Sequence, residues 1–500
     1  MVVKQLSTRP CKGSDDPYHY CLSFGNHHGT EHVPGVLPGS GTNLPQQGAY
    51  GLYAELLNGT PFVGPRATSS FVWMYRGKPA AAHQPMRKAA KETHNVEATF
   101  LPYNDKITFT PLGHTWGPLR LPASATSTCH STTFVQGLKT IGGHGCATLK
   151  EGLAVHQYAF NSDMDHQVFV NHDGELLLIP QDGVLDIKTE LGNLFVKPGM
   201  IAVVPAGIRF SVSRYRLSDI AEPRSTATAT GYALEIFGSQ FALPELGPLG
   251  VSGLANPRAF EYPVASFELD TVDSKSWEII VKAAGRFRSY SQPQTPFDVV
   301  AWHGKYAPYR YDLAHFGHLS ANVDQLDPTA SCVLTAPSRS RPGVSLVDFC
   351  IFGEKWAVSQ GSLRIPYYHR TMATELCGVI RGQYNGSVRP LEAGGLSFEA
   401  SYMPHGETYE AHQRETEAEH EPVKVLKDTL SFMFHIPAHF ALTKWATEEH
   451  PDIREERPDV WDSMRNHFLD HIDDANVALA EANQPPLEQN IPTLSDDLGL

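Results

Sequence analysis

The chain has 500 residues, of which 41% are hydrophobic, 19% charged and 10% aromatic, an ordinary globular composition that excludes wholesale disorder. This length is typical of roughly two to four domains. Because 54 acidic residues outnumber 40 basic ones, the net charge is −14, and we expect neither nucleic acid nor an anionic membrane surface as a partner.

Cysteine usage and the N-terminal segment both bear on the cellular compartment. The seven cysteines form no C-x-x-C pair, which is typical of free thiols in a reducing environment. The first twenty residues lack the apolar core of a signal peptide, and no apolar run is long enough to span a bilayer. The sequence therefore predicts a cytoplasmic protein without a membrane partner.

The first half of the chain changes character near Gly152. Residues 1–130 are rich in Gly, Pro, His and Ser and predict irregular structure. From Gly152 to Tyr215, apolar runs of strand length end at Gly, Pro, Asn or Asp. Short strands at such regular intervals predict an antiparallel sandwich or jelly roll.

One phrase in this block is more specific. Pro198–Met200 followed by Val204–Ile208 resembles the second conserved segment of cupin barrels, but Phe210 stands where that segment carries its metal-binding His. His166 and His172 do not reproduce the paired histidines of the first cupin segment. We therefore predict a cupin-like barrel without a metal, in which both histidines lie at the surface or form hydrogen bonds.

The second half contains another strand-rich block. The segment SKSWEIIVKAAGRFRSY, residues 274–290, predicts a helix between the blocks, and strand-length apolar runs resume from Phe297 to Trp445. Residues 447–483 are charged and favour a helix, and the last residues form a loose acidic end. The predicted class is all-β dominated, with two cupin-like jelly rolls or β-sandwiches, a few helices and a helical C-terminal tail. The predicted domains are 1–290, 291–446 and the tail 447–500.

Metal-ligand chemistry is concentrated in the second block. His369 and Glu375 lie six residues apart, and His405 follows about thirty residues later. Two imidazoles and one carboxylate are the ligand set that leaves open positions on a non-haem Fe(II) ion, although Zn(II) accepts the same ligands. In an extended segment the even interval would place His369 and Glu375 on one face.

Long matches in order from about residue 20 to 446 carry a family resemblance. The chain resembles the homogentisate 1,2-dioxygenases in the segments FGN at Phe24–Asn26, GLYAELLNGTPF at Gly51–Phe62, SFVWMYR at Ser70–Arg76, FGSQFALPELGPLGVSGLANPRAF at Phe237–Phe260, PFDVVAWHGKYAPYRYDL at Pro296–Leu313, RPGVSLVDFCIFGEKW at Arg341–Trp356, PYYHR, RGQY and MPHG. The length and order of these matches make them far more specific than any single motif.

The resemblance implies a fold, an activity and a set of site residues. That family has a large N-terminal β-sandwich domain and a smaller C-terminal β domain, and it assembles as a hexamer made of two trimers. By resemblance, His369, Glu375 and His405 hold Fe(II), and Tyr384 contacts the aromatic substrate that reacts with O2. Arg370 and His405 are further expected substrate contacts.

The chain departs from the family at two acid/base positions. The family motif D-H-x-D-P is here Asp324-Gln325-Leu326-Asp327-Pro328, and a second family His is here Glu399. Gln cannot accept a proton, whereas Glu can, so Glu399 is either the replacement base or a solvated strand residue. We take Gln325 and Glu399 as the candidate catalytic positions.

Three functions remain open from the sequence. The first is cleavage of homogentisate to maleylacetoacetate in tyrosine and phenylalanine catabolism. The second is a paralogue that oxidises another hydroquinone-like ring, for example in secondary metabolism, which the paired changes at Gln325 and Glu399 would explain. The third is a non-catalytic binding cupin, against which the intact ligand set counts.

Overall fold

The computed structural model describes residues 16–88, 95–121, 131–215, 228–245, 255–269, 275–324, 327–384, 390–454 and 459–487. Within these ranges the chain is dominated by β-strands, and its helices are short. No helix in the described ranges combines the length and the apolar composition that crossing a membrane requires. The predicted all-β-dominated class, with few helices and a helical C-terminal tail, is confirmed.

The strands in the first half are β1 (Tyr20–Leu22), β2 (His28–Glu31), β3 (Tyr53–Asn58), β4 (Phe71–Arg76), β5 (Arg87–Lys88), β6 (Thr99–Phe100), β7 (Ile107–Thr108), β8 (His114–Trp116), β9 (Leu138–Cys146), β10 (Glu151–Phe160), β11 (Gln167–Asn171), β12 (Gly174–Asp182), β13 (Leu185–Thr189), β14 (Gly192–Val196), β15 (Met200–Val204), β16 (Arg209–Arg214) and β17 (Ala229–Phe237).

The strands in the second half are β18 (Phe260–Pro263), β19 (Trp277–Ala283), β20 (Arg286–Gln292), β21 (Val299–Gly304), β22 (Tyr309–Asp312), β23 (Cys332–Pro337), β24 (Ser345–Ala357), β25 (Thr374–Arg381), β26 (Gln383–Tyr384), β27 (Leu391–Glu392), β28 (Leu396–Glu399), β29 (Val423–Ile436), β30 (Ala441–Thr443) and β31 (Ile453–Arg454). The α-helices are α1 (Phe134–Gly137), α2 (Tyr409–Glu417) and α3 (Ile472–Glu481).

These strands form five sheets. An 11-stranded sheet runs β1-β18-β22-β15-β12-β17-β10-β9-β30-β7 with β6 on β9, and a 7-stranded sheet runs β14-β13-β16-β11-β19-β20-β5. A 4-stranded sheet runs β2-β21-β4-β3 and includes β21 from the second half. A second 7-stranded sheet, β23-β24-β29-β25-β28-β8-β31, combines second-half strands with β8, and β26 pairs with β27.

The two halves of the chain exchange strands. β8 from the first half pairs with β28, and β30 from the second half pairs with β9. β21 and β22, which follow residue 291, pair with β4 and β15 of the first half. The predicted boundaries at 290 and 446 stay a prediction, and the hydrogen bonds that cross between the halves tie the second sheet to the first.

The N-terminal residues are more ordered than their composition predicts. The described part of residues 1–130 contains eight strands, β1 to β8, each two to six residues long. Several pair with partners far along the chain, as β1 does with β18. Strands this short show no clear alternation in sequence, so only their tertiary partners reveal them.

The helix predicted for residues 274–290 is wrong. β19 and β20 form an antiparallel hairpin over these residues, joined at Ala284 and Gly285, whose φ angles are 51° and 70°. Two consecutive positive φ angles suit the two-residue turns that join hairpin strands. β-branched Ile279, Ile280 and Val281 favour the strand, and β19 is covered on its other edge by β11.

The first block has the strands that the sequence predicts. Phe210, at the position where a cupin carries a ligand, is 1% exposed and packs on Phe169. His166 packs against Trp277, and the backbone N–H of His172 donates to the carbonyl of Lys282. The side chain of His172 is exposed, which agrees with the predicted surface position, whereas that of His166 is partly buried against Trp277.

Candidate metal centre

Three separate stretches of chain bring the predicted ligands together. Glu375 is the second residue of β25, whereas His369 and His405 form an isolated antiparallel bridge with backbone N–H···O distances of 3.1 Å in both directions. One ligand atom from each residue lies within 4.8 Å of the others. Among the described residues, these three side chains form the one group of three or more His, Cys, Asp or Glu residues that could hold a metal ion.

The path between His369 and Glu375 differs from the predicted one. The residues between them bend, with the Ala373 N–H donating to Thr371 Oγ1 at 3.3 Å, and β25 begins only at Thr374. The prediction of one extended segment is therefore wrong, although the two side chains do meet. The bend is tied to the His405 segment, because the Tyr402 N–H donates to the Thr371 carbonyl at 2.7 Å.

Both histidines are oriented in the same way by their own backbone. His369 Nδ1 lies 2.8 Å from the Tyr367 carbonyl, and His405 Nδ1 lies 3.0 Å from the Met403 carbonyl. A carbonyl can only accept, so each Nδ1 carries the proton and donates it. Each Nε2 then faces the carboxylate with the lone pair that metal coordination needs.

Glu375 is the charged partner of both rings. Its Oε2 lies 3.2 Å from His405 Nε2, and its Oε1 lies 3.7 Å from His369 Nε2. Burial alone would raise the pKa of Glu375. When the metal-free imidazoles also carry a proton on Nε2, their hydrogen bonds and positive charge lower it to about 2, and a bound metal ion would replace those protons. The carboxylate is thus ionised at neutral pH and attracts a cation at the point where the three ligand atoms converge.

The centre opens into a cleft of about 720 Å³. The lining residues are Tyr368, His369, Arg370, Pro404, His405 and Trp461. Side-chain exposure is 27% for His369 and 15% for His405, so the ligands can be reached from solvent. Arg370 is exposed at the cleft and brings a positive charge close to the centre.

Trp461 is a residue that the sequence analysis assigned to the tail. It is 38% exposed and lies 56 positions beyond His405, yet it lines the same cleft. No local motif marks it, because only the tertiary fold brings a residue this far along the chain to the cleft. β31 itself pairs with β8, next to β28.

Glu399 reaches the metal side by strand pairing. In the register of β25 and β28, Glu399 lies directly opposite Glu375, and directly opposed residues project to the same face. The chain then turns at Tyr402, with φ 64°, before His405. The predicted position of Glu399 on the metal-facing side therefore agrees with the structure, but strand pairing is the cause and the even spacing to His405 is not.

Tyr384 and Gln325 complete the predicted residues. The Tyr384 hydroxyl donates to Glu407 Oε1, and Glu407 is 3% exposed. Burial and the charge of Glu407 raise the pKa of Tyr384, so this phenol stays protonated. Gln325 lies outside the described residues, which end at Asp324 and resume at Asp327 on either side of it.

The chain matches one protein family over most of its length. Residues 19–313 match the family described as homogentisate 1,2-dioxygenase N-terminal, and residues 315–468 match homogentisate 1,2-dioxygenase C-terminal. Three curated relatives are each named "Homogentisate 1,2-dioxygenase". The Caenorhabditis elegans protein is 39% identical over 91% of this chain and 98% of its own length. The Drosophila melanogaster protein is 39% identical over 90% and 98%, and the Homo sapiens protein is 36% identical over 90% and 96%.

Proposed function

This chain belongs to the homogentisate 1,2-dioxygenase family, and from that membership we propose that it opens the ring of homogentisate with O2, giving maleylacetoacetate in tyrosine and phenylalanine breakdown. The observation that carries the proposal is the convergence of His369, Glu375 and His405 at an open cleft. Two histidines and one carboxylate leave positions on the metal open for O2 and substrate, which a purely structural metal site does not need. The relatives' shared name supports homogentisate over another hydroquinone.

We propose Fe(II) as the metal. Two neutral imidazoles and one carboxylate fit the two-histidine, one-carboxylate set of non-haem Fe(II) oxygenases, and the oxygenase family supports iron over Zn(II). A bound Fe(II) ion supplies the one-electron chemistry that lets O2 react with a closed-shell aromatic ring. The carbonyls of Tyr367 and Met403 keep both Nε2 atoms available for it.

The remaining site residues orient the substrate and move protons. Arg370 attracts the carboxylate of an acidic aromatic substrate into the cleft, and Tyr384 contacts the ring. Homogentisate has two ring hydroxyls, and removal of a hydroxyl proton raises the electron density of the ring. Glu399, on the metal face beside Glu375, accepts that proton. Gln325 is the second candidate position, and its amide cannot accept the proton.

Oxygen consumption tests this proposal. Protein loaded anaerobically with Fe(II) should take up one O2 per homogentisate and release a ring-opened product. The same protein loaded with Zn(II) is the matched control and should take up none, because Zn(II) has no redox chemistry. Uptake with other hydroquinones but not with homogentisate would contradict the proposed substrate.

We further propose a cytoplasmic homohexamer, a dimer of trimers, on family membership. Sedimentation at micromolar concentration should show a species of about six times the 55.0 kDa chain mass. A stable monomer would contradict this assembly.

A further inference from the structure

The sheet that carries Glu375 continues as a row of polar side chains. In the strand register, His435 of β29 lies directly opposite Glu375 of β25, on the other side from Glu399. Asp348 of β24 lies directly opposite His435. Since opposed residues share a face, Glu399, Glu375, His435 and Asp348 all project to the metal side of the sheet.

The ring of His435 is oriented by Asp348 on the neighbouring strand. Its Nδ1 lies 3.5 Å from Asp348 Oδ2. Asp348 is fixed in turn by two hydroxyl donors, Thr335 Oγ1 at 2.6 Å and Ser345 Oγ at 3.0 Å. A carboxylate held in this way selects the tautomer that protonates Nδ1 and leaves Nε2 as the free polar atom of the ring.

His435 is also accessible and close to the cleft. Its side chain is 31% exposed, so a ligand can contact it. Adjacent strands are about 4.8 Å apart, so its ring stands roughly one strand spacing from Glu375. Asp327 interacts electrostatically with His435, and Tyr367 interacts electrostatically with both Asp327 and Glu375. His435 therefore lies between Asp348 and Glu375 in the sheet.

We propose that His435 is a substrate-binding residue, which hydrogen bonds a ring hydroxyl of the hydroquinone through Nε2, and that Asp348 positions it. This inference rests on the proposed function. It places ring contacts on both sides of Glu375, with Glu399 on one neighbouring strand and His435 on the other. No local motif marks His435 or Asp348, because 87 residues separate them in the chain and only strand pairing brings them together.

Binding without turnover tests the assignment. Homogentisate is titrated calorimetrically into Zn(II)-loaded wild type, His435→Ala, His435→Gln and Asp348→Asn, with His420→Ala as a control for loss of an exposed histidine. We expect His435→Ala to weaken binding about tenfold, as the loss of one hydrogen bond does. His435→Gln, whose amide can replace Nε2, should recover most of the affinity, and metal content and melting temperature should remain those of the wild type.

Two analogues separate a direct contact from a structural effect. 2-Hydroxyphenylacetate and 3-hydroxyphenylacetate each lack one of the two ring hydroxyls of homogentisate. The effect of His435→Ala should persist for one analogue and vanish for the other, which lacks the contacted hydroxyl. Equal weakening for all three ligands, or no weakening at all, would overturn the assignment.

The wild type distinguishes this inference from the proposed function. A wild-type protein that binds homogentisate and takes up O2 supports the function, and the variants then decide the role of His435. A wild type that neither binds homogentisate nor consumes O2 overturns the function and this assignment together.

Discussion

Two groups of histidine and carboxylate side chains, one in each half of the chain, have opposite properties. The first group consists of His156, Asp173, Glu235 and Lys282, each at most 3% exposed. Within it, His156 Nε2 lies 3.3 Å from Glu235 Oε2. Lys282 Nζ lies 2.7 Å from Asp173 and 2.8 Å from Glu235, so it offsets one of their two negative charges. In the second half, Glu375 meets two histidines at an open cleft.

The difference shows that ligand types alone do not make a metal site. Burial would raise the pKa of Glu235, but the charge of Lys282 and the hydrogen bond with His156 lower it to about 2, as the two histidines do for Glu375. At the first group a protein cation already occupies the place of a metal ion. At the second group the ion-pair partners of the carboxylate are the two imidazoles, and the site opens to solvent, so an external cation can take that place.

The largest effect should follow removal of a ligand. His369→Ala, Glu375→Ala or His405→Ala should abolish iron binding and O2 uptake, because an open site has no spare protein ligand. Iron content per chain by elemental analysis and O2 consumption measure this, with His420→Ala as the control. Full iron content and turnover in any of the three variants would refute the site.

Removing the cation of the first group should lower the stability of the protein without changing its iron binding. Lys282→Met leaves Asp173 and Glu235 buried without their counter-charge, which costs about 3–5 kcal/mol of unfolding free energy. Urea unfolding measures the loss, and Arg339→Met, at an exposed position, is the control. Iron content per folded chain should stay unchanged, and a selective loss of iron at normal stability would contradict the separation of the two groups.

The acid/base positions should show an intermediate effect. Glu399→Gln keeps the shape and hydrogen bonding of the side chain but removes its titratable proton, so kcat on homogentisate should fall about 10²-fold. Gln325→His should restore little if Glu399 already provides the base. Wild-type rates in both variants would show that neither position takes part in proton transfer, and a rise with Gln325→His alone would favour an impaired copy of the parent site.

The smallest effect concerns a buried carboxylate away from the Lys282 group. Burial raises the pKa of Glu175 to about 8, and the backbone N–H of Phe241 donates to it. Since the folded state then binds a proton that the unfolded state has lost, unfolding free energy should decrease as pH rises from about 4.5 to 8. Urea unfolding at pH 6 and pH 8.5 should show a decrease of no more than a few kcal/mol that Glu175→Gln reduces, and the same decrease in that variant would contradict this cause.

Much of the candidate site could be predicted from the sequence. The residue types at His369, Glu375 and His405 predict metal binding, and long ordered matches predict the family. The β-dominated class follows from short apolar runs that end at glycine and proline. These features are local, so they depend little on the rest of the fold.

The errors have a common origin in contacts between distant parts of the chain. The predicted helix over β19 and β20 is wrong because the apolar residues of this segment fit both periods, and its β-branched residues and its pairing with β11 and β5 together favour strands. The shortest N-terminal strands are defined by partners such as β18, more than two hundred residues away.

The sequence by itself determined the class of fold and the family and predicted the three metal ligands, because each depends on residue types and on matches along the chain. Only the tertiary structure decided that Glu399 and His435 flank Glu375 and that Trp461 lines the cleft. It also decided that Lys282 forms ion pairs with the buried carboxylates of the first group. The physical reason is that strand register and burial are set by partners far away in sequence, and these determine which charges meet and which face solvent.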